Sequence, residues 1–160
     1  GYSAHMATTW LDDEEQALWR SYLDVTRMLF KELDKQLLRD AGISSADFEI
    51  LVLLSEAPDR RMRMSDLAEA STTTRSGITR AIARMEKAGW VSRVECESDK
   101  RGAWAELTDK GSSTLTDASP EHVATVRAAM FDVLDPQEVA VMGEAFAKVR
   151  TRLAERRRLA

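Results

Sequence analysis

The sequence holds one cysteine, Cys96, so no disulfide framework can staple the chain. Its two histidines, His5 and His122, together with that cysteine fall short of the four ligands of a usual structural zinc site. No metal or other cofactor is expected. Three prolines and seven glycines in 160 residues leave long stretches free of helix breakers, which favours a mainly helical chain. No apolar run approaches the ~20 residues of a membrane span. No segment has the order of a signal peptide, so a cytoplasmic location away from membranes is the expectation. Catalytic sets are equally scarce. There is no Ser/His/Asp grouping and no glycine-rich phosphate loop, and no enzyme is expected.

What is present suits a globular domain. The hydrophobic fraction is 44%, enough for a sizeable core. The net charge of −4 speaks against nucleic acid only until its distribution is read. Between Arg60 and Arg101 the chain holds ten basic and six acidic residues, a local +4 that leaves −8 for the rest. A DNA binder needs a basic face, not a basic total.

That basic stretch organises the chain. Leu67, Ala68 and Ala70 make a short apolar helix. Thr72, Thr73 and Thr74 disfavour its continuation and suit a cap, with Thr74 the N-cap of a second helix. In that helix Ile78, Ile82 and Met85 share one face, and Arg75, Ser76, Thr79, Arg80, Arg84 and Lys87 lie mostly off it. Gly89 ends it. The period then changes to that of strands, Trp90 to Cys96 and Ala103 to Leu107, around a charged turn, Glu97 to Gly102. A helix with exposed Arg, Ser and Thr fits the major groove, and a basic hairpin tip fits the minor groove.

The flanks are helical. From about Asp12 to Arg39, Leu18, Tyr22, Val25, Leu29, Leu33 and Leu37 recur at helical spacing, and Trp19, Thr26 and Phe30 widen the stripe. A stripe this wide suggests two surfaces to bury, the second against another copy of the chain. Ser44 to Asp47 caps a nearly all-apolar helix, expected to be central and buried, that ends at Pro58. The arginines of Asp59 to Met64 are candidates for DNA phosphates, in a connection that is also a candidate short strand pairing with the wing. Thr108 opens another helix, which Ser119-Pro120 should break, kink or restart. Val123, Val126, Met130, Phe131 and Leu134 continue its apolar face. Asp135-Pro136 caps a last helix striped by Val139, Met142, Phe146, Val149 and Leu153. The expected division is a tag remnant at 1–5, an N-terminal dimerisation helix at 6–42, a DNA-binding domain at 43–111 and C-terminal dimerisation helices at 112–160.

The central stretch resembles the winged helix-turn-helix of the MarR family of bacterial transcription regulators. The resemblance is carried, in order, by Leu67-Ala68-Glu69 through Thr79-Arg80, by Met85-Glu86-x-x-Gly89-Trp90-Val91, by Asp99-Lys100-Arg101-Gly102 and by Leu107-Thr108-x-x-Gly111. The flanking helices extend it over residues 11–155. It implies a mainly α fold with a small β-wing, a winged helix-turn-helix core between dimerisation helices. It implies a homodimeric regulator, a repressor released from a pseudo-palindromic double-stranded DNA operator by a small aromatic or acidic effector.

On this resemblance Ser76, Gly77, Thr79 and Arg80 match base-facing positions. Arg80 has two readings, guanine chelation or phosphate contact. Arg75, Arg84 and Lys87 match phosphate contacts or plain surface charge. Arg101 matches a wing-tip arginine that enters the minor groove, Asp99 an acid that orients the wing, and Lys100 a phosphate contact. The chain departs from the family at Thr72, where a turn glycine is usual, and at Thr73, where an apolar residue is usual. That implies a looser turn. Trp10, Trp19, Arg20, Tyr22 and His122 are the effector-pocket candidates, against the alternative that the aromatics are packing and His122 an ordinary surface histidine. Two other functions stand beside the operator model: an oxidation sensor working through Cys96, and a winged-helix module that binds protein. Glu95 and Glu97 beside Cys96 weigh against a reactive thiolate.

Overall fold

A computed structural model describes residues 8–71, 73–95 and 102–159. The chain is mainly helical with one small antiparallel sheet. In order it forms α1 (Asp13–Ala41), α2 (Ser45–Glu56), β1 (Arg61–Arg63), α3 (Met64–Ala70), α4 (Arg75–Ala88), β2 (Val91–Glu95), β3 (Ala103–Leu107), α5 (Asp109–Ala129) and α6 (Pro136–Arg158). Short 3-10 turns at Pro58–Arg60 and Phe131–Val133 join neighbouring elements.

Local chemistry sets the boundaries. Asp12 and Glu15 form a reciprocal capping box at the start of α1, and Asp135 and Glu138 repeat it at α6. The backbone N–H of Asp47 donates to the Ser44 hydroxyl at the start of α2. Gly42 and Gly89 end α1 and α4 in the left-handed conformation that costs glycine least.

The core lies around α2. Ile50, Leu51 and Leu54 are fully buried, packed with Leu37 of α1, Leu67 of α3, Ile78, Ile82 and Met85 of α4, and Leu107 of β3. The sheet order is β1-β3-β2. Val91 pairs with Leu107 and Glu95 with Ala103. On the other edge Arg61 pairs with Glu106 and Arg63 with Trp104, so the segment before α3 is the expected short strand.

Of the break, kink or restart expected at Ser119-Pro120, the break and the restart do not occur, because α5 runs through it from Asp109 to Ala129. Pro120 and Thr116 lie on the exposed side, where water can take the Thr116 carbonyl that the proline leaves unbonded. The Ser119 hydroxyl meanwhile donates back to the Leu115 carbonyl at 2.6 Å. The apolar face beyond Ala129 is also not one helix, since Phe131–Val133 turn away before α6.

Candidate nucleic-acid interface

Helix α4 is amphipathic in the sense a reader helix needs. Ile78, Ala81, Ile82 and Met85 are buried, which fixes which side points out. Thr74, Arg75, Ser76, Thr79, Arg80 and Arg84 are all exposed on the other side. Ser76, Thr79 and Arg80 stand at i, i+3 and i+4, hence on one face. The Thr74 hydroxyl accepts from the Gly77 N–H at 3.2 Å, as the N-cap expectation requires. No acid lies in the first turn, so the positive end of the helix stays available to an anion. At the other end the Lys110 ammonium donates to the Ala88 carbonyl at 2.7 Å, which satisfies a terminal acceptor.

Thr73, where an apolar residue is usual, is tied to Ser71 and packs on the first turn of α4. The Thr73 N–H donates to the Ser71 hydroxyl at 3.3 Å. A Cβ added at Gly77 would run into the Thr73 methyl, so that methyl already fills the space over the first turn. Threonine here supplies apolar packing with its methyl. Thr72 itself lies outside the described residues, as do Cys96, Asp99, Lys100 and Arg101 of the wing tip.

Two of the arginines offered above as DNA contacts, Arg84 and Arg60, are ion-paired within the fold. The Arg84 guanidinium donates to the Asp47 carboxylate at 2.7 Å. Asp47 is buried and sits in the first turn of α2, so this pair ties α4 to the core helix. Arg60 reaches Asp109 at the start of α5, 2.9 Å away. The sequence order gives no hint of the first pair, 37 residues apart.

The geometry agrees with what comparison shows. The MarR family model matches residues 43–102. The chain is similar to Sco3205, a MarR family transcriptional regulator from Streptomyces coelicolor solved in complex with DNA. The two share 46% identity over 89% of this chain and 90% of that one, with a TM-score of 0.83. The chain belongs to the MarR family of transcription regulators. A second MarR family structure, AbsC from Streptomyces coelicolor, is 42% identical over 92% of this chain and 99% of that one, with a TM-score of 0.83. The HTH-type transcriptional repressor YetL of Bacillus subtilis is 28% identical, covering 87% of this chain and 84% of that relative. These MarR relatives are regulators, not enzymes.

The effector candidates do not converge on one place. Trp19 and Tyr22 stack on α1 with centroids 5.9 Å apart, and Tyr22 meets Phe146 of α6 at 6.0 Å. Beside them an open cleft of about 980 Å³ is lined by Tyr22, Phe146, Arg150, Leu153 and Arg157 among others. Trp19 and Arg20 do not line it, and Trp10 is 84% exposed. His122 is elsewhere: its ring packs on Phe48 at 4.4 Å. Its Nδ1 is buried without a partner, and burial pushes its pKa below the ordinary histidine value. Among the described residues no three acidic, His or Cys side chains are grouped to hold a metal, and no helix is long and apolar enough to cross a membrane.

Proposed function

We propose that this MarR family member is a homodimeric repressor that reads a pseudo-palindromic operator, with one α4 in each of two successive major grooves. The observation that carries the reading is the exposed Ser/Thr/Arg face of α4, backed by a sealed apolar face. Ser76, Thr79 and Arg80 meet base edges in this account, with Arg80 able to chelate guanine. Arg75 meets phosphate, and Thr74 caps the helix. Arg84 acts first as a strut through Asp47. Arg101 enters the minor groove from the wing, oriented by Asp99 and flanked by Lys100, an assignment that rests on the family resemblance. The DNA bound to Sco3205 and the repressor name of YetL support the choice.

The pairing of two copies is drawn from the flanks. Val141, Phe146, Val149 and Leu153 of α6 and Leu18, Val25, Met28 and Phe30 of α1 are between 47% and 71% exposed. Apolar surface of this extent on a helix pair calls for a partner. A second copy of the chain supplies matching stripes under two-fold symmetry. Residues 6–42 and 112–160 then form the pairing lobe and residues 43–111 the reader. An acidic aromatic effector suits the cleft of Tyr22, Phe146, Arg150 and Arg157, and acts by favouring a dimer whose α4 spacing no longer fits DNA.

Fluorescence anisotropy on the duplex upstream of the protein's own gene tests the reading, with a scrambled duplex for comparison. Tight, salt-dependent binding with a preference for the upstream duplex is expected. Arg80→Ala should cost about 1–3 kcal/mol of that preference. Equal binding of both duplexes by the wild type and by Arg80→Ala would contradict it.

A further inference from the structure

The outer face of the small sheet holds a cluster that gives two of the arginines between Asp59 and Met64 a specific arrangement. Along β1, Met62 sits opposite Ala105, a buried residue of β3, while Arg61 and Arg63 alternate to the other face. There both guanidinium groups converge on one indole. The Arg61 and Arg63 carbons lie 4.9 and 5.1 Å from the centre of the Trp104 ring. Neither arginine makes an ion pair among the described residues. This holds although Glu56, Asp59 and Asp66 line the same depression, of about 550 Å³.

An indole attracts a cation over its face and holds a long side chain in one place. It does not cancel charge. Two guanidinium groups gathered on one ring still repel each other; Glu56, Asp59 and Asp66 offset part of that repulsion without pairing, and an anion in direct contact with both groups relieves the remainder. Contact with the ring limits the freedom of both side chains, which lowers the entropy cost of holding such an anion.

The place of the pair in the fold selects the anion. Arg63 is the residue from which α3 starts, the first helix of the helix-turn-helix. Its partner Trp104 is the second residue of β3, on the side of that strand that leads back to the wing tip. At the far end of the same connection, Arg60 is tied to Asp109 of α5. The pair therefore lies where β1 runs toward the wing and the helix-turn-helix. We propose that Arg61 and Arg63, splinted by Trp104, form a second clamp on the DNA phosphate backbone, outside the bases that α4 reads. This rests on the operator reading. Because phosphates carry no sequence, the clamp supplies affinity and register, and base preference stays with α4.

The test uses the same anisotropy assay with Arg61→Gln/Arg63→Gln in the full chain. Binding to upstream and scrambled duplexes should weaken by the same factor, at least about fivefold. The slope of log K against log salt should shrink by about 0.9 for each phosphate the variant no longer neutralises. Trp104→Leu keeps both charges and removes the splint. It should weaken both duplexes too, by a smaller factor, with melting followed to confirm the fold. Affinity and salt slope unchanged in the double arginine variant would overturn the clamp and point the pair to an acidic protein instead. A wild type without preference for the upstream duplex defeats the operator reading. A wild type that keeps the preference beside an indistinguishable double variant defeats the clamp alone.

Discussion

In α4, Ile78, Ile82 and Met85 recur at steps of four and three residues, and each is at most 1% exposed. In α6, Phe146, Val149 and Leu153 recur at the same kind of step and are 47%, 55% and 58% exposed. No residue of α6 is buried within the chain. The two helices carry the same periodic signal and meet opposite surroundings. Periodicity reports that a face is built to be covered. Whether the cover comes from the same chain or from another is decided by what the topology brings near.

The contrast can be broken first inside the reader. Leu51→Ala removes a fully buried side chain at the centre of the core and should destabilise the chain by about 2–5 kcal/mol in chemical denaturation. The same truncation at Leu153 should leave the reader's own stability nearly untouched. Gly111→Ala comes next. A Cβ there would strike the Trp90 carbonyl, a backbone atom that cannot swing aside. Displacing α5 from the start of β2 should cost about 1–3 kcal/mol. Asp47→Ala frees the Arg84 guanidinium, which is 59% exposed and can turn to water. Its cost to stability should be smaller, about 1 kcal/mol. The more telling readout is DNA affinity, which should fall as α4 loses its tie to α2.

The smallest expected effect concerns pH. Burial lowers the His122 pKa in the folded chain, so below the unfolded value the unfolded state binds more protons. Stability is then full above about pH 6.5, the ordinary histidine value, and falls as pH drops below it. His122→Leu should flatten that fall in melting curves recorded between about pH 7.5 and pH 5. A wild-type curve with the same slope as the variant would remove His122 as the cause.

Much of this architecture is legible in the sequence. The caps at Ser44, Thr74 and Thr108 and the stops at Gly42 and Gly89 follow from side-chain oxygen and glycine chemistry within four residues, and each appears where expected. The exposed Ser/Thr/Arg face of α4 follows from the position of three apolar residues. Pairings that depend on register or on distant partners are not legible there. Arg84 reads as one more surface cation until α2 places Asp47 beside it. Trp104 reads as an ordinary strand aromatic until the β1–β3 register sets Arg61 and Arg63 over its ring. Pro120 reads as a helix break, yet it lies inside α5 on the exposed side, where water can take the carbonyl it frees. Residue type alone groups His122 with Trp19 and Tyr22, and the fold separates them.

The central claim is that the stripes left bare on α1 and α6 belong to a second copy of the chain, and that the reader works as a pair. Sedimentation velocity of the wild type and of Phe146→Glu/Leu153→Glu, each alone and with the upstream duplex, tests it most directly. The account predicts a wild type at twice the chain mass at micromolar concentration. It predicts a variant at the single-chain mass, with an intact thermal transition and much weakened DNA binding. A wild type that stays at the single-chain mass and still binds the duplex as tightly would contradict it.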